Sequence, residues 1–170
     1  MPRPDLDSHF VKIDQLILDI DTHVPPGTGY AAVKLRADLA GLLVVTMAAT
    51  YETCVKEVIH GYANRVHRKF GNFTAENFKK INSKININDL YHYCSLFDPN
   101  INQRFNSLLA KRKAAMLLRT GQDIEDRYKQ ILRWRHAFAH AWTRNATIED
   151  VVRAHRAGKR VLYVFDQAFS

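Results

Sequence analysis

The stretch from residue 32 to residue 69 constrains the fold most, because it holds no proline and only two glycines, Gly41 and Gly61. Within it, residues 39–49 are apolar on every side apart from Thr46. A helix that is apolar all round is buried on one face by its own domain and on the other by more protein. The stretch therefore predicts one long central helix whose second face is a candidate subunit interface.

The rest of the chain also has the spacing of helices, separated by short breaks. Asp7 or Ser8 can cap a first helix, which ends before the break at 25–29. Its apolar residues follow an i, i+3, i+4, i+7 pattern and are Phe10, Ile13, Leu16, Ile17 and Ile20. Residues 70–87 are rich in asparagine and predict a connection, with room for a short helix after Thr74.

The second half of the sequence predicts four further helices. Asn88 is the expected cap of a helix that ends at Asp98–Pro99, and Gly121 is the expected end of the next. The predicted helical ranges are 88–97, 101–119, 123–142 and 147 to about 169. Residues after Gly158 include several with strand propensity, so helix and strand both remain open for that segment.

Composition excludes several classes of protein. Hydrophobic residues make up 46% of the 170 residues, enough for a core, and Gly and Pro number only seven and five. Two cysteines are too few for a disulfide framework, so a reducing, cytoplasmic setting is expected. The longest apolar run is about half of what a bilayer span needs, and residues 1–5 do not resemble a signal peptide. These observations predict one all-α domain over residues 1–170, with no membrane association.

The positive charge is concentrated in one part of the chain. Residues 104–170 carry 14 basic and 6 acidic residues, which accounts for the whole net charge of +8. Such an excess is typical of proteins that bind a polyanion, and RNA, DNA and anionic lipid all qualify. The alternative is a basic face that only keeps the protein in solution.

One segment, Arg133-Trp-Arg-His-Ala-Phe-Ala-His140, combines two arginines and two histidines on one predicted helix. His136 and His140 are i, i+4 and therefore lie on one face, while Arg135 lies about 140° around the helix from His140. An imidazole can move protons near neutral pH, and a guanidinium can bind phosphate and stabilise a charged transition state. The combination suits phosphodiester chemistry.

Other interpretations of this segment remain open. Histidines beside an apolar face are often structural, and two histidines at i, i+4 can form half of a zinc site. No cysteine or acidic residue lies near in sequence to complete such a set, so no metal and no cofactor are expected. The sequence also has no Gly-x-Ser-x-Gly motif and no phosphate-binding glycine loop.

The segment Arg135-His-Ala-Phe-Ala-His140, late in an all-helical chain, resembles the Arg-x4–6-His signature of the HEPN superfamily. Three further features fit: Tyr51-Glu52 in the long helix, the segment Asn88–Phe97, and a last helix that starts with Thr147-Ile-Glu-Asp. The sequence is most similar to HEPN domains of the RiboL-PSP type, from about residue 8 to 168. The resemblance implies an all-α bundle of about five to six helices.

The resemblance also implies a metal-independent endoribonuclease whose active site forms where two subunits meet, often in toxin–antitoxin or antiphage systems. Arg135 and His140 then match the catalytic pair, His136 their polar neighbour, and Glu52 a supporting acid. Some toxins of this family carry a modifiable tyrosine two residues after the histidine. Trp142 stands at that position here, so silencing by that modification is not expected.

The function expected from the sequence is therefore an RNase that acts as a homodimer, alone or with an antitoxin or defence-system partner. The predicted phosphate contacts are the basic residues Arg104, Lys111, Arg112, Lys113, Arg127, Arg133 and Arg144. Trp134 or Trp142 could stack a base. The alternative is a non-catalytic HEPN-like module that binds a nucleotide or a protein. A plain DNA-binding helical domain is the weakest interpretation, because no helix-turn-helix motif is recognisable.

Overall fold

The computed structural model describes residues 4–27, 29–78 and 84–170, and these form seven helices and no strand. The helices are α1 (Pro4–His23), α2 (Tyr30–Val66), α3 (Arg68–Asn77), α4 (Ile87–Phe97), α5 (Pro99–Thr120), α6 (Ile124–Ala141) and α7 (Ile148–Ala168). The predicted all-α class is confirmed. The predicted count of five to six helices is too low.

The extra helix arises at His67, where the predicted long helix is interrupted. The backbone of His67 is extended, with φ −166° and ψ 136°, and its imidazole accepts a hydrogen bond from the backbone N–H of Lys69. This side chain caps a separate helix, α3, which already includes Thr74. The expected short helix after Thr74 is therefore misplaced, and part of the predicted connection (residues 79–83) lies outside the described residues.

Short polar residues start the later helices, as the sequence indicates. Thr147 and Asp150 form a reciprocal capping box at the start of α7. Asp98 and Pro99, expected only to end the preceding helix, also start α5: Asp98 is its cap and Pro99 its first residue, ahead of the predicted start at residue 101. The cap of α4 is Asn86 rather than the expected Asn88, because Asn86 and Asp89 form the capping box there. Gly121 ends α5 with a left-handed φ of 66°.

The segment after Gly158 is helical despite its strand-prone residues. Val161, Phe165 and Ala168 are buried at helical spacing and join the shared hydrophobic core. Burial of this helical stripe outweighs the weak local preference for strand, because strand propensity largely reflects the packing environment. α7 therefore continues to Ala168.

Helix α2 is central and contacts α1, α3, α6 and α7. Its inner side chains, such as Met47 and Tyr51, are fully buried. The outer side of α2 carries Leu35 and Leu42, which are about half exposed, together with the exposed Ala49. We call this row the outer stripe. Leu42 and Ala49 belong to residues 39–49, which the sequence indicates as a candidate interface, and Leu35 extends the row toward the start of the helix.

A buried polar cluster joins α2, α6 and α7. Tyr51 and His155 share a hydrogen bond of 3.0 Å between the phenol oxygen and Nδ1, and the Tyr51 ring stacks on Tyr128 with 5.3 Å between centroids. Tyr128 donates a hydrogen bond of 2.7 Å to the carbonyl of Ile85. All three side chains have less than 1% exposure, so the cluster fixes how the three helices face one another.

Close backbone contact holds α7 against α6 at Gly158. A Cβ atom at this position would lie 3.0 Å from both the backbone N and the Cα of Tyr128. Real Cβ contacts essentially never fall below this distance, and backbone atoms cannot move aside as a flexible side chain would. The two helices can approach this closely because residue 158 has no side chain.

Acid should destabilise the protein through His155. Burial, and then the charges of Lys159 and Arg156, lower the pKa of His155 to about 3, whereas an unfolded histidine titrates near 6.5. Below pH 6.5 the unfolded chain binds a proton that the folded protein does not, so stability falls as the pH drops toward 3, by at most about 1.4 kcal/mol per pH unit. Urea unfolding between pH 7 and pH 4.5 measures this slope.

The free energy of unfolding should depend less steeply on pH in His155→Gln, since glutamine does not titrate and can still form a hydrogen bond with Tyr51. His92→Gln, which alters an exposed histidine, is the matched control and should keep the wild-type slope. Equal slopes in wild type and His155→Gln would contradict this account.

Candidate active site

Three of the four residues predicted as catalytic or supporting line one cavity of about 260 Å³. Glu52 comes from α2, and Arg135 and His136 come from α6. The remaining lining residues are Val45, Ala48, Ala49, Ile85, Asn86 and Leu132. Residues far apart in sequence are therefore brought together: Glu52 of α2 lines the same cavity as Arg135 and His136 of α6.

His140 lies beside this cavity and does not line it. Its ring packs on that of His136 with 4.4 Å between centroids and 51° between planes, as expected for residues one turn apart on one face. Both histidines are exposed, whereas Arg135 is half-buried. The cavity thus presents a guanidinium within it and a pair of solvent-accessible imidazoles along its edge.

Two polar residues in the cavity wall are fixed by neighbours. Glu52 forms an ion pair of 2.7 Å with Lys56, one turn further along α2, and both side chains are partly buried. The side chain of Asn86 accepts a hydrogen bond of 3.0 Å from the backbone N–H of Asp89. Sequence reasoning missed Asn86; its position just before α4, with Asp three residues later, was the available signal.

The C-terminal end of α6 is held by aromatic contacts. Phe138 is buried against α2, where a Cβ atom at Gly41 would overlap its ring. Trp142 ends the helix in the left-handed region, with φ 51°, and its indole stacks on Phe138 at 4.6 Å between centroids. Trp142 is 58% exposed and follows His140 closely, whereas Trp134 packs against the core. Of the two indoles, Trp142 is the one accessible to a nucleobase.

Most of the predicted phosphate contacts already bind protein groups. Lys113 lies 2.9 Å from Asp123 and 3.3 Å from Glu125. Arg104 donates to the carbonyls of Ala168 and Ser170 at the end of α7. The other pairs are Arg127 with Gln130, Arg133 with Asp126, and Arg144 with Asp38.

Lys111 and Arg112 differ from these, since both are exposed and have no acidic partner among the described residues. Among the predicted phosphate contacts, these two residues therefore have the fewest competing interactions with other protein groups.

Both cysteines are poor nucleophiles. Cys54 and Cys94 are buried, and this burial raises the pKa of each thiol to about 12, which leaves it protonated near neutral pH. Within residues 4–27, 29–78 and 84–170, no three His, Cys, Asp or Glu side chains are grouped as a metal site would require. No helix in the same ranges has both the length and the apolar character to cross a membrane.

The sequence matches a model of a known protein family. The family model described as RiboL-PSP-HEPN matches residues 8–170. Neither the curated proteins nor the solved structures yielded a match to this sequence. Because the match covers nearly all of the chain and includes every residue of the cavity, the protein belongs to the RiboL-PSP-HEPN family.

Proposed function

We propose that the protein is a metal-independent endoribonuclease. The observation that carries the proposal is the meeting of Glu52, Arg135 and His136 in one cavity, with His140 packed on His136 at its edge. Because nuclease or other RNA-related roles are found in this family, we take RNA as the substrate. The proposal extends to a role in the cytoplasm, in a toxin–antitoxin or antiphage system.

The proposed reaction uses the substrate's own 2′-hydroxyl as the nucleophile. Its oxygen attacks the adjacent phosphorus, the bond from phosphorus to the 5′-oxygen breaks, and the products are a 2′,3′-cyclic phosphate and a 5′-hydroxyl. His140 takes the proton from the 2′-hydroxyl or gives one to the leaving 5′-oxygen. Arg135 neutralises the charge that develops on the phosphorane, and His136 orients the other two groups. No step requires a divalent cation.

We propose further that two copies of the chain meet across the outer stripe of α2. Ala49 belongs both to this stripe and to the cavity wall, so the exposed apolar surface continues to the edge of the site. Covering the stripe with a second copy would remove Leu35 and Leu42 from water. It would also bring the cavities of the two subunits toward one another and exclude solvent from the reacting phosphate.

Removing either member of the catalytic pair should abolish most cleavage. His140→Ala and Arg135→Ala should each lower the cleavage rate at least about 100-fold, because proton transfer and electrostatic stabilisation each contribute roughly that much. His136→Ala should cost less. The measurement is cleavage of a labelled RNA in EDTA, with the product ends mapped, and His23→Ala in α1 as the control that should keep full activity.

The same assay tests the nucleophile. An RNA with 2′-deoxy substitution at the cleaved position should remain intact. Cleavage of that substrate, or full activity in His140→Ala, would rule out the proposed reaction. No cleavage of any RNA by the wild type would favour the non-catalytic binding module.

The homodimer should depend on the outer stripe. Light scattering of the wild type at micromolar concentration should give about twice the chain mass of 19.6 kDa. Leu42→Glu places a charge in the proposed interface and should give the mass of one chain, with loss of cleavage. Leu118→Glu, which alters an 89% exposed leucine of α5, should leave the mass unchanged; a wild-type monomer would contradict the shared site.

RNA binding should depend on salt and on the unpaired basic residues of α5. The double change Lys111→Glu/Arg112→Glu should weaken binding and lower the log–log salt slope, to which each phosphate contact on a single strand contributes about −0.7. Lys113 is left unchanged because its ion pairs join α5 to the start of α6. The control is Lys12→Glu/Lys69→Glu. Equal affinity of the two double variants for RNA would mean that the excess of basic residues serves solubility alone.

A further inference from the structure

A second cavity, about 510 Å³ in volume, lies between α1, the end of α5 and α7. It shares no lining residue with the candidate active site. Ligand sites in proteins usually have volumes of about 300–1,000 Å³, so this cavity is large enough for a small organic ligand. Its wall combines a row of arginines with an apolar floor, and we refer to it as the arginine pocket.

The arginines come from one face of α7. Arg153, Arg156 and Arg160 are spaced i, i+3 and i+7, so their side chains project into the pocket along a single side of the helix. Arg153 and Arg156 are exposed and Arg160 is half-buried. The described residues provide no ion-pair partner for any of the three. Three guanidinium groups with no such partner converge on one space.

The two carboxylates on the pocket wall, Asp21 and Glu149, are already bound by another residue. Arg36 lies 3.0 Å from Asp21 and 2.8 Å from Glu149, and the exposure of its side chain is only 10%. Because Arg36 offsets part of their charge, they do not neutralise the arginine row. The pocket keeps a net positive charge.

Two buried polar atoms of the pocket have no hydrogen-bond partner. They are Nε of Arg160, a donor, and Oε1 of Gln122, an acceptor. An unpaired buried polar atom usually costs about 1–3 kcal/mol, so most are paired in folded proteins. Because both side chains line the pocket, a rotation of each would let a ligand that offers an acceptor and a donor pair with the two atoms.

The floor of the pocket is apolar. Met116 of α5 and Ile148 and Ala157 of α7 are buried, and Ile17 of α1 and Val152 of α7 are half-buried. A bare phosphate or sulfate ion would use the arginines but leave the exposed parts of Ile17 and Val152 in contact with water. The floor therefore favours a ligand whose anionic group is attached to an apolar or aromatic body.

We propose that the arginine pocket binds a phosphate monoester whose organic part is apolar or aromatic. The phosphate oxygens accept hydrogen bonds from Arg153, Arg156 and Arg160, and guanidinium groups fit phosphate in a bidentate manner. The organic part covers the floor, and a hydroxyl or amino group on it donates to Gln122. The site is separate from the proposed active site and does not depend on catalysis.

Such a phosphate ester has two sources, a free small molecule or the 5′-phosphate end of an RNA strand. Isothermal titration of the full chain can separate them with five probes: AMP, adenosine, inorganic phosphate, and one RNA tetramer with and without a 5′-phosphate. The tetramer carries 2′-O-methyl sugars, which the proposed nuclease reaction cannot cleave. AMP should bind more tightly than adenosine and inorganic phosphate by at least tenfold. Tighter binding of the phosphorylated tetramer than of both AMP and the unphosphorylated tetramer would instead identify the RNA end as the ligand. Either result supports the proposal that the arginine pocket binds a phosphate monoester.

The double variant Arg153→Gln/Arg156→Gln should weaken binding of the preferred probe at least tenfold, because both arginines are exposed and their loss should not disturb the core. Gln122→Leu removes the buried acceptor and should weaken AMP more than inorganic phosphate. Lys69→Gln, an exposed lysine of α3, is the matched control.

His140→Ala should retain full binding of the preferred probe, which separates this site from the proposed nuclease. Absence of binding for every phosphorylated probe, or equal binding by wild type and the double arginine variant, would overturn the proposal.

Discussion

The packing of Tyr51, Tyr128 and His155 is the constraint on which the rest of the structure depends. Each residue comes from a different helix, and the cluster holds α2, α6 and α7 together through one hydrogen bond and two ring stacks, of Tyr51 on Tyr128 and of Tyr51 on His155. The close contact at Gly158 brings the backbones of α6 and α7 near enough for it to form. Because Glu52 follows Tyr51 and Arg135 lies two turns beyond Tyr128, the same packing that closes the core also places the carboxylate and the guanidinium on one cavity.

Local signals in the sequence predict much of the fold. The caps at Asp123 and Thr147 and the stop at Gly121 identify the later helices, because each pairs the free backbone groups at a helix end within one turn. The break at His67 is different: no proline or glycine marks it, and it depends on the imidazole of His67 capping the next helix. Local sequence also does not predict that the chain stays helical after Gly158, since this depends on the burial of Val161 and Phe165.

The site could be predicted only in part. The spacing of His136 and His140 gives their contact directly, because residues four apart meet on a helix. The position of Glu52 beside Arg135 depends on how α2 packs against α6, so only the family resemblance indicated it. Net charge identified the basic part of the chain but not which of its basic residues already bind other protein groups. Lys113 and Arg144, for example, form ion pairs with acidic residues. The sequence analysis did not single out Arg153, Arg156 and Arg160, because the cavity that they line depends on how α1 and α5 pack against α7.

The contact between Gly41 and Phe138 has a consequence for how this sequence can change over time. The ring of Phe138 occupies the space that any side chain at position 41 would need, and it also carries the indole of Trp142. A larger residue at 41 requires that the ring of Phe138 moves or that residue 138 becomes smaller, and either change would disturb the stacking of Trp142. Substitutions at the three positions should therefore occur together in related sequences, even though only Trp142 is exposed at the edge of the site.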